Sequence, residues 1–286
     1  MSILLDGLSL GAVYALIALG YTMVYGIAKM LNFAHGDVIM VGAYAIYSTM
    51  ALNTNPFIAM AVAIVVCTVM GIVIEKFAYK PLRGASPLAV LITAIGVSNL
   101  LQGIAQLIYG STSIAFTVAN FKTVHILGSE ISVGTILTLV VGAIIMIGLT
   151  LFVKKTRTGR AMLAVSEDSG AARLMGVNVD KIIMLTFAIG SALAAFASLF
   201  YIIRIPSVTP TLGAMPGIKA FTAVIGGIGS IPGAMLGGIL LGMIEQICKH
   251  NPTVEAYTTA IEFCLLIVIL LVKPVGLLGK RRREKV

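Results

Sequence analysis

Charge is what this sequence has least of. Asp, Glu, Lys and Arg make up 11% of its 286 residues, under half the roughly 25% of a soluble domain. Tryptophan is absent, aromatic residues reach only 7%, and there are three cysteines. Cys67, Cys248 and Cys264 are too few and too scattered for a disulfide framework or a metal centre, and are read as small packing residues. So few charges cannot cover the apolar surface of a soluble fold of this size, which excludes the soluble classes. What is abundant is apolar: 59% of residues are hydrophobic, and the mean hydropathy is +1.05. The fold class expected is all-α, a polytopic membrane protein with a single transmembrane domain over residues 1–286. The 30 glycines lie within apolar runs and suit close helix contacts in lipid.

A bilayer crossing needs about 20 mostly apolar residues, because only a helix satisfies its own backbone in hydrocarbon. The candidate spans are Leu8–Gly26, Phe57–Tyr79, Leu88–Tyr109, Val133–Val153, Ile182–Ile203 and Tyr257–Val272, with a shorter one at Val38–Leu52. The first run lacks the basic flank and cleavage site of a signal peptide and is expected to stay in the protein. Ile218–Cys248 is apolar throughout but too long for one span. Most of the 20 basic residues fall in the loop at 76–87, the loop at 154–181 and the tail after Val272. All three should be cytoplasmic, with Gly110–Ser132 outside. The excess of basic residues thus reflects loops beside anionic lipid, not a nucleic-acid partner. Parity then requires two passes within 218–248, the first short, turning at Gly226–Pro232. The total is about eight spans plus one short or re-entrant piece.

Non-helical backbone at membrane depth is tolerated only beside protein or a water-filled cavity, and paired interrupted segments point to a substrate path. Two such breaks occur here. One is Asn32-Phe33-Ala34-His35-Gly36-Asp37, where Asn32 or Asp37 could cap the next helix in an ordinary turn, or the break could shape a pore. The other holds Gly226, Gly227, Gly229 and Pro232, followed by Gly233, Gly237, Gly238 and Gly242, whose spacing equally suits helix packing. In the fourth span Thr93, Gly96, Asn99, Gly103 and Gln106 share one helix face, flanked by Gln102. This face serves either as interhelical glue or as the lining of a wet passage. Glu245 and Glu262 must face protein or water, and a position near the membrane interface is expected for both.

The loop before Ile182 reads as a short helix. Ser166 and Ser169 suit an N-cap, Ala171–Met175 the body and Gly176 the end. Its apolar side, formed by Ala171, Leu174 and Met175, fits a groove on a partner. Gly170-Ala171-Ala172-Arg173-Leu174-Met175-Gly176 resembles the coupling loop of importers driven by ATP-binding cassettes, with Gly170 where that motif has Glu. Leu31 through Asp37, Pro81 through Leu88, Ser166 through Gly176 and Gly226 through Ala234 together resemble the LivH-type permeases of branched-chain amino-acid importers. The resemblance runs from residue 7 to the Pro274–Gly279 tail.

The resemblance implies a subunit of the bacterial cytoplasmic membrane that pairs with a second, LivM-like permease. Two cytoplasmic ATPase subunits would hold ATP and magnesium and dock on Glu167, Asp168, Ala171, Ala172, Arg173 and Gly176. An extracytoplasmic binding protein would deliver leucine, isoleucine or valine. The chain itself has no cofactor and is not expected to be an enzyme: Gly276-Leu-Leu-Gly279-Lys280 lacks the spacer and hydroxyl of a phosphate-binding loop. The path would be lined from Asn32, His35, Gly36, Asp37, Thr93, Gly96, Asn99, Gly226, Gly227, Gly229 and Pro232. A related importer for urea, amides or other neutral amino acids is the alternative. An ion-coupled transporter with His35, Asp37 and Glu262 as its relay is the more distant one.

Overall fold

A computed structural model describes residues 2–119, 121–126, 129–224 and 230–273. The chain opens with α1 (Ser2–Ala28) and α2 (His35–Ala51). Next comes α3 (Pro56–Ile74), which runs on through a π-helical turn at Glu75–Tyr79 and a 3-10 turn at Lys80–Leu82. Then follow α4 (Pro87–Tyr109), the strands β1 (Ile114–Ala115), β2 (Thr123–Ile126) and β3 (Ser129–Ser132), and α5 (Val133–Lys155). The helices α6 (Arg157–Glu167), α7 (Ser169–Leu174) and α8 (Val179–Arg204) come next, then β4 (Ser207–Val208). The chain closes with α9 (Ala214–Val224), α10 (Ile231–His250), α11 (Pro252–Glu255) and α12 (Thr258–Val272).

Many helix starts carry a polar cap. Asn55, Ser86 and Ser230 accept bonds from the first backbone amides of α3, α4 and α10, each just ahead of a proline in the first turn. Proline fits there because its missing N–H has no intrahelical partner in any case.

Among the described residues six helices are long and apolar enough to cross a membrane: α1, α3 with its two extra turns, α4, α5, α8 and α10. α2 (17 residues) and α12 (15 residues) stand where two further spans are expected but are shorter than these six, and α9, of 11 residues, is the short piece. The apolar stretch 218–248 therefore holds parts of two helices rather than one. Of its expected turn, residues 225–229 lie outside the described residues, Gly226, Gly227 and Gly229 among them.

The helices form an inside and an outside. α1 and α8 are enclosed, and Ala15, Leu16, Ile17, Ala18, Ala194 and Ala195 have no measurable exposure. α3, α4 and α5 instead turn Val65, Val69, Ile92, Ile104, Ile144 and Ile147 outward, the apolar rim that lipid would solvate. α1 lies against α10 backbone to backbone. A Cβ on Gly11 would stand 2.7 Å from the Ile239 Cα, and one on Gly242 would collide with the Gly11 amide. The spacing of Gly238 and Gly242 thus serves helix packing. Cys67 is buried and Cys264 exposed, so only the first packs in the interior as expected.

The bundle has two ends, and they gather the loops that the charge pattern groups. At one, β1 pairs antiparallel with β4, and Arg204 reaches the Asp6 carbonyl at 3.2 Å and Gln246 Oε1 at 2.6 Å. At the other, Arg83 and Asp180 are bonded at 2.5 Å, joining the basic loop at 76–87 to the one at 154–181.

Candidate functional site

α1 ends at Ala28, and Lys29 turns the chain with a left-handed φ of 57°. The linker to α2 then packs into the protein, where Asn32, His35 and Asp37 are 4%, 1% and 1% exposed. Neither Asn32 nor Asp37 caps α2, since the cap position is Ala34 and no side chain bonds there. Asn32 Oδ1 instead accepts from the Tyr79 hydroxyl at 2.9 Å, and the Leu31 carbonyl accepts from it at 3.2 Å. His35 sets its ring edge-on to Tyr21, with centroids 4.8 Å apart, in a space left by Gly20 of α1. Gly36 meets Gly213 and Gly217, just before and within α9. The approach is so close that a Cβ on Gly213 would overlap the Gly36 carbonyl. The first break thus meets the short helix α9 backbone to backbone at these glycines.

Asp37 faces α4. Its carboxylate accepts from Ser98 Oγ and, at 2.8 Å, from Gln102 Nε2. A cavity of about 200 Å³ opens beside it, lined by Phe33, Asp37, Leu91, Ile95, Ser98, Ala214 and Ile218. A carboxylate with two polar partners in a mainly apolar wall can orient a small zwitterion or a water while passing an aliphatic group. Ser98 and Ala214 carry no distinguishing signal in the sequence.

The stripe on α4 lies on another side of that helix. Gly96, Asn99 and Gln106 are exposed, and Thr93 and Gly103 half-buried. Asn99, Gly103 and Gln106 line an open groove of about 710 Å³ with Leu100, Ile104 and Leu107. Asp37 and the stripe therefore do not meet within one chain. Pro232 sits exposed in the first turn of α10.

Glu245 and Glu262 face protein rather than lipid; they are 3% and 2% exposed. Lys219 of α9 places its Nζ 2.9 Å from one oxygen of Glu245 and 3.0 Å from one of Glu262. Glu245 also accepts from the Tyr14 hydroxyl at 2.6 Å and pairs with Lys249 at 2.7 Å. One enclosed cation between two enclosed carboxylates ties α9, α10 and α12, Tyr14 adds α1, and the exposed Lys249 reaches Glu245 from the surface. The sequence reading missed Lys219, although a lysine within an apolar run is itself a signal.

At the basic end, Asp168 rather than Ser166 or Ser169 caps α7, accepting from the amides of Gly170 and Ala171 at 2.8 and 2.9 Å. Ser166 turns back to the Leu163 carbonyl. Gly176 closes the helix with φ +84°, and the Val177 amide bonds the Ala172 carbonyl, the usual reverse turn after a helix. Ala172 is buried, whereas Glu167, Ala171 and Arg173 are exposed, and Leu174 and Met175 stand 90% and 84% clear. Two adjacent large apolar side chains on a polar loop form a knob that suits a partner's groove.

The sequence has relatives among known proteins. The model of the family described as "Branched-chain amino acid transport system / permease component" matches residues 3–270. The chain is 44% identical to the high-affinity branched-chain amino acid transport system permease protein BraD of Pseudomonas aeruginosa, over 99% of this chain and 97% of that one. It is 43% identical to the permease protein LivH of Escherichia coli and 42% to that of Salmonella typhimurium, each over 98% of this chain and 96% of the relative.

Proposed function

The chain belongs to the family of permease components of branched-chain amino acid transport systems, and from that premise we propose how its geometry serves import. It is a multi-pass protein of the cytoplasmic membrane and the membrane-spanning permease subunit of an ATP-binding-cassette importer for leucine, isoleucine and valine. It acts as a transport subunit, with ATP and magnesium held by partners. Those partners are two cytoplasmic ATPases, a second LivM-like permease and an extracytoplasmic binding protein.

The single observation that carries this reading is the knob of Leu174 and Met175 on the capped helix α7. An apolar pair so exposed gains by burial in a partner, and α7 leads directly into the enclosed helix α8. ATP-driven closure of the ATPases moves α7 and with it α8, and the permease pair alternates its opening. The exposed amides of Asn99 and Gln106 support α4 as the wall facing the second permease, because amides at membrane depth need a polar partner. The break at Asn32–Asp37 and the cavity beside Asp37 lie behind that wall. The ion-relay alternative loses one of its two acids, since Lys219 pairs with Glu262.

The test is reconstitution of the permease pair with its ATPases and binding protein in liposomes. ATP-dependent accumulation of labelled leucine, lost with a non-hydrolysing ATPase variant, supports the reading. Uptake that persists without hydrolysis and collapses with a proton uncoupler overturns it.

A further inference from the structure

We propose that the π-helical turn Glu75–Tyr79 is the mechanical link between the docking helix α7 and the break before α2, with Arg83 and Tyr79 as its positioning residues. The inference rests on the docking reading above and adds the route by which motion reaches the cavity.

The route is a chain of named contacts. Arg173 of α7 lies 4.0 Å from Asp180 in the first turn of α8. Asp180 is bonded at 2.5 Å to Arg83, which also pairs with Glu75. Arg83 is thus a clasp between the helix that follows α7 and the end of α3. Lys80 adds a looser contact to Asp180 at 3.7 Å. Glu75 is 2% exposed, and a buried carboxylate separated from its cation is strongly disfavoured. The Arg83–Glu75 half of the clasp therefore holds under displacement, and the half-exposed Asp180 joins it to α8. From Glu75 the π-helical turn runs to Tyr79, 1% exposed, whose ring packs on Phe187 of α8 with centroids 5.1 Å apart. The Tyr79 hydroxyl holds Asn32 and Leu31 in the linker, five residues before Asp37 at the cavity.

The turn's geometry suits a moving part. π-helical turns are rare and recur at functional sites. This one sits between a buried ion pair at its start and a hydrogen bond to non-helical backbone at its end. A one-residue change of register there would shift Tyr79 relative to Arg83 while α3 above stays packed. Asn32 would follow Tyr79, and Gly36 would slide along Gly213, where no side chains interlock.

The test uses the complete importer in liposomes, reading ATP hydrolysis and leucine uptake together. Tyr79→Phe keeps the ring packing and removes only the hydroxyl. It is expected to leave ATPase co-purification and hydrolysis in place while lowering leucine imported per ATP at least about fivefold. A second variant, Glu75→Leu with Arg83→Met, replaces the buried pair by apolar groups, a change that generally preserves folding, and should lower the same ratio. An unchanged ratio in either folded variant overturns the link. Loss of ATPase binding in a Leu174→Glu, Met175→Glu variant tests docking separately. If that variant still binds its ATPases, docking fails whatever Tyr79→Phe does.

Discussion

Lys219 and Glu245 meet at 2.9 Å inside the bundle, a buried ion pair between the short helix α9 and α10. Glu262 closes the same cation from α12 at 3.0 Å. Glu245 keeps Tyr14 and Lys249 when Lys219 is removed, so Glu262 is the charge that would be stranded. Lys219→Met should therefore cost about 3–5 kcal/mol of stability. Adding Glu262→Met should recover much of it. Thermal unfolding in detergent, read for the single and the double variant, checks this.

The crossing of α1 and α10 leaves no room for a side chain. Gly242→Val places atoms where the Gly11 amide already lies, and overpacking of this kind costs about 1–3 kcal/mol or more. The expected outcome is a lower yield of monodisperse protein in fluorescence-detected size exclusion. Gly148 of α5, where a Cβ would meet nothing within 4 Å, should accept alanine with little effect.

Asp37 is expected to matter through its hydrogen bonds as much as its charge. Asp37→Leu leaves the Ser98 hydroxyl and the Gln102 amide facing the cavity without their acceptor. A hydrogen bond to a charged group is worth about 1.5–3 kcal/mol, so leucine uptake should fall roughly tenfold or more. Asp37→Asn retains one acceptor oxygen and should keep a larger share of activity. Initial uptake rates at fixed ATP discriminate the two.

The knob on α7 should be separable from folding. Leu174→Glu with Met175→Glu alters side chains that are already exposed, and such surface changes usually stay within about 0.5 kcal/mol. Unfolding temperature should hold. Binding of the ATPases should weaken by about 2 kcal/mol, the scale of an interface hot spot. Co-purification and surface plasmon resonance on the detergent-solubilised permease measure it.

Much of the fold is legible in the sequence because lipid imposes simple rules. Long apolar runs give the helices, basic loops give their shared end, and the length of 218–248 betrays two helices in place of one. The glycines at 238 and 242 announce close packing, although not that α1 is the partner. The candidate site is less legible, since its contacts join residues far apart in the chain. Asp37 was singled out, but nothing local says that Ser98 and Gln102, some sixty residues on, would receive it. Asn32 looked like a helix cap and is a receiver for Tyr79, because tertiary packing supplied a better donor than the next helix turn. Ser166 and Ser169 suit the cap of α7 equally well by residue type, and only the folded chain shows that Asp168, between them, takes the place. Glu245 and Glu262 have to face protein or water by charge alone, but nothing local in the sequence says that Lys219 is their shared partner.

The sidedness of α7 tests the account most directly. Met175→Cys, introduced where Cys67, Cys248 and Cys264 are replaced by alanine, gives one thiol on the docking knob. A membrane-impermeant maleimide should label it in sealed inside-out vesicles and leave it unlabelled in sealed right-side-out ones. Labelling from the outer face would contradict docking of cytoplasmic ATPases on this helix, and with it the whole scheme of import driven from within.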